Sequence, residues 1–436
     1  MKKVLVVGYG ISGRGAAKLL KEKGYTVSVY SDKPLDALNE DVTDVSSLSE
    51  FEAVADKEFV VVSPGVDCEH KIVRYAARIG VPVIGELELG YRYCKGKIVA
   101  VTGTNGKTTT TKLLGEIVAA SGLKTFTLGN IGNSFCEYVS DISADGVAVL
   151  EVSSFQLETI KDFCPRVAAC LNITPDHYER HKNFENYSLQ KFKIFINQKD
   201  SDFAVLNYDD PTVRDFCDGI KSQVYFVSTK MKVRGCYIED GKIMVNINDT
   251  YALMGLEDVP LKGDYNYQNV LTAVAASKLI GVDDDAVVAA VKDFRLPRFR
   301  NELIATVDGK NYFNDSKATN IDSTLKACAS MSGDTALIVG GYDKGISYEG
   351  FFSKLPACIK HIVATGDNVY TMMSFLPSYR EYTFEITSSL ERAVELASQK
   401  QVENVLFSPT TSSFDRYSGY EERGEHFDMI VKSISK

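Results

Sequence analysis

Short apolar runs rich in valine and isoleucine alternate along the chain with stretches of helical period. The runs are Val4–Val7, Thr26–Tyr30, Phe59–Val62, Ile98–Thr102, Val147–Val152, Ala168–Asn172, Ala336–Val339, His361–Thr365 and Val405–Ser408. Alternation of buried-type strands with helices predicts parallel sheets covered by helices, an α/β fold. Two segments have a different pattern. Lys232–Val245 reads as a hairpin turning at Asp240-Gly241, and Leu303–Phe313 as another turning at Asp308-Gly309, so both are predicted antiparallel additions.

At 436 residues the chain exceeds one ordinary core, since domains run to roughly 100–200 residues. Tyr93–Lys97 precedes a fresh strand and glycine-rich loop, and Arg295–Glu302 separates a helical stretch from the second hairpin. Three domains are therefore expected, at residues 1–94, 95–297 and 298–436. No internal period or low-complexity tract argues for a repeat architecture or a disordered tail.

Composition narrows the classes of function. The net charge is -9, with both signs interspersed and no basic stripe, so a nucleic acid is not an expected partner. Small anionic ligands stay open, because helix N-termini and local Lys and Arg residues hold phosphate on acidic proteins. The opening apolar run breaks at Gly8 and Gly10, too early for an export signal, and no run approaches the ~18 apolar residues of a membrane span. Nine scattered cysteines form no CxxC pair or metal-ligand spacing. Reduced thiols and a cytoplasmic location are expected.

The strongest chemical signal is Thr102-Gly103-Thr104-Asn105-Gly106-Lys107-Thr108-Thr109, between a strand and the expected helix Thr108–Ala120. Its glycines let backbone N–H groups approach phosphate oxygens, Lys107 can reach the β/γ-phosphates, and Thr108 can help place Mg2+. Val101 occupies the place of the first glycine of a strict Walker pattern. An ordinary glycine turn is the bland alternative, and the strand-to-helix context favours nucleotide binding.

Gly8-Tyr9-Gly10-Ile11-Ser12-Gly13 also joins a strand to a helix, and Asp32 closes the next strand. The pattern fits a nicotinamide dinucleotide, a UDP-sugar or plain tight packing. With a separate ATP loop downstream, the UDP-type ligand is preferred. Glu151 ends an apolar strand and His177 follows another, where α/β sheets gather their sites. The pair could hold Mg2+; a capped turn and a surface histidine are the alternative.

The phosphate loop, Glu151-Val-Ser-Ser-Phe-Gln-Leu-Glu158 and Asn172-Ile-Thr-Pro-Asp-His177 occur in the order seen in Mur ligases. Asn314-Asp315-Ser316-Lys317-Ala318-Thr319-Asn320 resembles the branch that adds D-glutamate to UDP-N-acetylmuramoyl-L-alanine. The resemblance runs to Ser408-Pro409 and to Phe414-Asp415 through Glu421-Glu422-Arg423-Gly424. It implies a Rossmann-like N-terminal domain that binds UDP through Gly10, Ile11, Ser12, Asp32, Ser63, Pro64 and Gly65. The implied central domain is a P-loop-type ATPase, with a parallel sheet plus antiparallel strands. The last domain is again Rossmann-like.

By the same resemblance Asn130 and His177 approach the muramoyl substrate, Glu151 holds Mg2+, and Asn266 and Asn269 face the adenine side of ATP. Arg300 and Asp315 complete the nucleotide site. Lys317, Thr319, Lys344, Ser413 and Phe414 receive D-glutamate; cationic partners suit a dicarboxylate leaving water. Lys191, in Leu189-Gln190-Lys191-Phe192, matches a lysine carbamylated in the family, placing it with Thr108, Glu151 and His177 around metal; its plain reading is a helix-surface lysine. Tyr265 stands where a histidine is common before Asn266, and Leu296-Pro297-Arg298-Phe299-Arg300 is one residue longer than usual, so Arg298 and Arg300 compete for one role.

The implied activity is cytoplasmic peptidoglycan precursor synthesis by an ATP- and Mg2+-dependent acid–amino-acid ligase, expected as a monomer. An acyl phosphate forms on the muramoyl substrate and the amine of D-glutamate attacks it, with domain closure keeping water out. A folylpolyglutamate-type ligase, a non-catalytic UDP-sugar sensor and a dehydrogenase are the competing readings.

Overall fold

The computed structural model describes residues 2–35, 38, 41–296, 298–345, 347–377 and 381–434. Pro297, at the expected second boundary, lies outside the described residues. Among these residues the strands form three sheets of five, nine and six strands. By its internal contacts the chain divides into two compact units, one of Met1–Pro175 with Arg180–Arg295 and one of Asp176–Glu179 with Leu296–Lys436.

In the first sheet, Lys3–Val7 is flanked in parallel by Thr26–Tyr30 and Phe59–Val62, with Val42–Asp44 and Val83–Gly85 at the edges. The chain turns in opposite directions on either side of Lys3–Val7. That reversal opens a crevice at the carboxyl ends of Lys3–Val7 and Phe59–Val62, the usual ligand position in a doubly wound sheet. Val4 and Val6 join one apolar cluster while Leu5 and Val7 join another, as the two-residue strand period requires when both faces are covered.

The central sheet places Lys97–Thr102 between Val147–Glu151 and Val167–Cys170, all parallel. Beyond them lie Thr125–Gly129 on one side and Phe203–Asn207 and Gln223–Ser228 on the other. The first expected hairpin is present as Gly235–Glu239 and Lys242–Asn246, and Asp240 and Gly241 adopt φ of 48° and 70°. Positive φ at both turn residues is the type I′ geometry that suits twisted strands. A third antiparallel strand, Thr250–Gly255, extends this edge. Its mixed burial, half facing solvent, left no clear apolar run in the sequence.

The last sheet runs Glu302–Val307, Lys310–Asn314, Asn404–Phe407, Thr335–Val339, Ile359–Ala364, Thr383–Ile386 in spatial order. The first pair is the second expected hairpin, with φ of 50° at Asp308 and 78° at Gly309, and the rest are parallel. Ala336, Ile338 and Phe407 face one apolar cluster; Leu337, Val339 and Leu406 face the other. Strands expected to reach Val152, Thr365 and Ser408 stop one residue short, although those residues still donate to Val101, Val339 and Ile338.

Candidate functional site

The strand Lys97–Thr102 delivers the loop Gly103–Gly106 to the helix Lys107–Ala120, which starts one residue earlier than expected. Asn172, just beyond the end of the neighbouring strand Val167–Cys170, holds this loop like a template. Its side chain accepts from Asn105 N at 2.9 Å and donates to Asn105 O at 3.0 Å, while its backbone oxygen accepts from Thr104 N at 2.9 Å. Thr104 Oγ1 donates to Thr174 O and sits 3.1 Å from Tyr187 OH. Asn172 opens the Asn172-Ile-Thr-Pro-Asp-His177 segment, but its role as a template depends on which strands are neighbours.

Two ammonium groups turn toward this loop. Lys107 Nζ donates to Gly103 O at 2.9 Å and to Thr104 O at 2.8 Å. Lys191 Nζ donates to Gly103 O at 2.8 Å and lies over the Tyr187 ring. Lys191 is 1% exposed, so the surface-lysine alternative does not hold. Gly106 is required by close approach: at φ of 86°, an added Cβ would meet Asn269 Oδ1 at 2.2 Å. Asn269 Nδ2 is buried with no hydrogen-bond partner, and Thr108 and Thr109 are buried in the first helical turn.

Asn269 and Asn266 come from the helix Asp264–Leu279. Asn266 donates to Lys262 O at 3.0 Å. Gln268 on the same helix donates to Asp209 and accepts from Asn207, and Asn207 also donates to Leu171 O, next to Asn172. A continuous run of hydrogen bonds thus ties this helix to the template of the phosphate loop. Gln268, Asn207 and Asp209 carried no motif signal.

Glu151 ends its strand beside the loop. Oε1 accepts from Asn130 Nδ2 at 2.9 Å, Asn130 N donates to Glu151 O, and Oε2 is buried with no hydrogen-bond partner. A buried carboxylate oxygen lacking a donor suits a hard cation, which prefers oxygen ligands. Among the described residues no group of three or more His, Cys, Asp or Glu is arranged to hold a metal. Mg2+ normally takes only one or two carboxylates, with phosphates and waters completing its shell, so Glu151 and Thr108 fit it. His177 clusters with the other compact unit, at φ of 54°, where its ring lies 3.2 Å from Glu179 and its N–H donates to Asp176.

At the crevice of the first sheet, Ser63 Oγ donates to Gly8 O at 2.9 Å, joining the Gly8–Gly13 and Ser63-Pro64-Gly65 loops. Gly10, Ile11, Asp32 and Gly65 are exposed there, with Ser12 and Pro64 half-buried. Asp32 Oδ2 lies 3.0 Å from His70 Nε2. His70 Nδ1 accepts from Ile72 N at the start of the helix Lys71–Arg78, so Nε2 carries the proton that Asp32 receives. Arg180 pairs with Glu158 and donates to Val66 O at 2.8 Å, bracing the same loop from the central sheet's side. Burial and the Glu158 charge raise the neighbouring Cys68 thiol to about 11, so it stays protonated. His70 and Arg180 were not singled out in the sequence.

In the second unit, Asp315 is buried, accepting from Ser408 Oγ and Asn301 N. Burial pushes its carboxyl up to about 7, against the pull of Ser408 and the Arg300 charge. Arg298 is engaged with Asp428 and Glu302. Arg300 Nε is buried with no hydrogen-bond partner. The geometry therefore gives Arg298 a bracing role and leaves Arg300 beside Asp315. Lys317 lies over the Tyr420 ring, Lys344 Nζ donates to Thr319 O at 3.3 Å, Ser413 is buried and Phe414 is exposed.

No described helix is long and apolar enough to cross a membrane. The family profile of the Mur ligase middle domain matches residues 101–277, and that of the Mur ligase MurD-like N-terminal domain matches residues 2–85. A Lachnospira eligens protein named UDP-N-acetylmuramoylalanine–D-glutamate ligase is 39% identical, covering 99% of both chains. One of the same name from Thermoanaerobacter sp. is 36% identical, over 100% of this chain and 99% of that relative. The MurF ligase structure from Thermotoga maritima in complex with ADP shares the fold, with a TM-score of 0.62 at 15% identity over 99% of this chain and 95% of that one. The chain belongs to the Mur ligase family, in the group of the UDP-N-acetylmuramoylalanine–D-glutamate ligases.

Proposed function

We propose that the chain joins D-glutamate to UDP-N-acetylmuramoyl-L-alanine at the expense of ATP, as a cytoplasmic monomer in peptidoglycan precursor synthesis. The observation that carries the reading is the phosphate loop, with Lys107 at its helix start and the unpartnered Glu151 oxygen on the adjoining strand, in a chain with full-length relatives of that name. Residues 1–94 would hold the UDP moiety through Gly10, Ile11, Ser12, Asp32, Ser63, Pro64 and Gly65. Residues 95–297 would hold ATP through Gly103 to Thr109, Asn266 and Asn269. Residues 298–436 would hold D-glutamate through Lys317, Thr319, Lys344, Ser413 and Phe414, and supply Arg300 and Asp315 to the nucleotide.

When ATP binds, its phosphates give Lys107 acceptors that compete with Gly103 O and Thr104 O. Released from the loop, its ammonium can follow the γ-phosphoryl as charge develops there. Thr108 and Glu151, with His177 and a carbamylated Lys191, would hold Mg2+, which would supply neutralisation of phosphate charge. Asn130 and His177 would orient the alanyl carboxylate, which takes the phosphoryl to give an acyl phosphate and ADP. The neutral amine of D-glutamate then adds to the acyl carbon. The tetrahedral adduct loses phosphate and a proton, leaving the amide. Lys317 and Lys344 would offset the two carboxylates of D-glutamate and leave its amine free.

The test is ADP release measured against a panel of amino acids, with and without the muramoyl substrate. Release that requires both D-glutamate and UDP-N-acetylmuramoyl-L-alanine supports the reading. Release with another amino acid, or with none, counts against it.

A further inference from the structure

Arg423 lies in the helix Tyr420–Ile434 and is 2% exposed. Burying a guanidinium is costly unless its N–H groups are used, so a buried arginine marks a place where its fork geometry matters. Nε donates to Ser316 Oγ at 3.1 Å, and Nη2 donates to Ser316 O at 2.9 Å and Thr411 O at 3.0 Å. Nη1, buried with no hydrogen-bond partner, reaches a third segment: a Cβ added at Gly341 would stand 2.8 Å from it. Gly341 has φ of 159°, and its missing side chain is what lets the guanidinium approach.

Ser316, Thr411 and Gly341 belong to loops leaving the carboxyl ends of three neighbouring parallel strands, Lys310–Asn314, Asn404–Phe407 and Thr335–Val339. The loops are also tied to one another. Tyr342 N donates to Ser412 O at 2.9 Å, Thr411 Oγ1 donates to Tyr342 O at 2.7 Å, and Lys344 Nζ donates to Thr319 O. Between Pro409 and Thr411, buried Thr410 is held at φ of 68°, a strained setting for a β-branched residue. Such strain persists only where the surroundings over-determine it.

We propose that Arg423 is the positioning residue of the amino-acid site, setting the spacing of the three loops without itself touching the amino acid. One loop carries Lys317 and Thr319, one Lys344, and one Ser413 and Phe414, so the inference rests on their assignment to D-glutamate. A lysine at 423 would keep the charge, but a single nitrogen cannot span Ser316 and Thr411 as the planar fork does.

The experiment is steady-state ADP release by the full chain carrying Arg423→Lys or Ser316→Ala, with each substrate varied in turn. For Arg423→Lys the KM for D-glutamate rises about tenfold or more, because a small misplacement of binding groups is enough. The KM for the muramoyl substrate stays within about twofold, since the residues assigned to it lie outside the three loops, and the KM for ATP rises less than that for D-glutamate. Ser316→Ala shifts the D-glutamate KM in the same direction by less. A merely structural role would lower kcat with the folded fraction and leave that KM at the parent value in both variants, which would overturn the proposal. If Arg423→Lys does not fold, an unchanged D-glutamate KM in Ser316→Ala overturns it alone. Parent protein that releases no ADP with D-glutamate points instead to failure of the ligase reading.

Discussion

Lys107 and Lys191 share one acceptor: both ammonium groups donate to the carbonyl oxygen of Gly103, at 2.9 and 2.8 Å. One comes from the phosphate loop's own helix and the other from the helix Phe184–Phe192. Two cations held beside one oxygen repel, and a third positive charge would make the arrangement worse. Conversion of Lys191 to a carbamate would replace one cation by an anion with two oxygens, turning that repulsion into attraction toward Lys107 and toward a hard cation. Its buried position excludes the bulk water that would stabilise a bare ammonium equally well.

Lys191→Ala is therefore expected to lower kcat by about a hundredfold, the scale seen when a charge-stabilising group is removed from a closed site. Added acetate or formate should restore part of the rate, because a small carboxylate supplies the missing oxygens. Turnover assays with and without the added acid check this. Full activity of the alanine variant, with no response to carboxylate, would remove Lys191 from the chemistry.

Asp32 is a second point of attack. It is exposed and already fixed by His70 Nε2, so it is presented to a ligand at little further cost in order. Asp32→Ala should weaken the UDP-containing substrate about tenfold, the equivalent of one hydrogen bond to a charged group, while ATP affinity is unchanged. Titration calorimetry with each ligand separates the two. An equal loss for both would contradict the assignment of two independent loops. His70→Ala should also cost about 1 kcal/mol of stability through the lost cap at Ile72, measurable by urea unfolding.

What could be read in advance was local. The Asp240-Gly241 and Asp308-Gly309 turns declare their φ values in the residues themselves, and the phosphate loop declares itself through spacing between a strand and a helix. Glycine at 106 was readable as a loop residue, but the Asn269 oxygen that demands it is supplied by another helix. Arg423 donates to Ser316 from 107 positions away, and nothing in a Glu-Glu-Arg-Gly segment distinguishes a buried guanidinium from a solvated one. The alternative of a helix-surface lysine at 191 fails for a similar reason. A lysine on a helix of mixed polarity has a solvated face by default, and only the fold shows Tyr187 and Gly103 covering it.

Asp315 gives a pH dependence with a definite sign. Burial raises its carboxyl from 3.8 to about 7. A carboxyl raised on folding contributes stability that is fully present below pH 3.8 and is lost as pH rises through about 7. Between these limits the parent should lose up to about 1.4 kcal/mol per pH unit relative to Asp315→Asn, which cannot titrate. Urea unfolding across that range compares the two proteins. Parallel profiles would show that the carboxyl is not displaced.

The central claim is that the muramoyl carboxylate is activated by phosphoryl transfer before the amine attacks. It is tested most directly with UDP-N-acetylmuramoyl-L-alanine carrying heavy oxygen in its alanyl carboxylate, turned over with ATP, Mg2+ and D-glutamate, and followed by mass spectrometry of the released phosphate. The account predicts one labelled oxygen in each phosphate, one retained in the new amide, and ADP as the nucleotide product. Unlabelled phosphate from a fully labelled substrate, or AMP and diphosphate in place of ADP and phosphate, would contradict it.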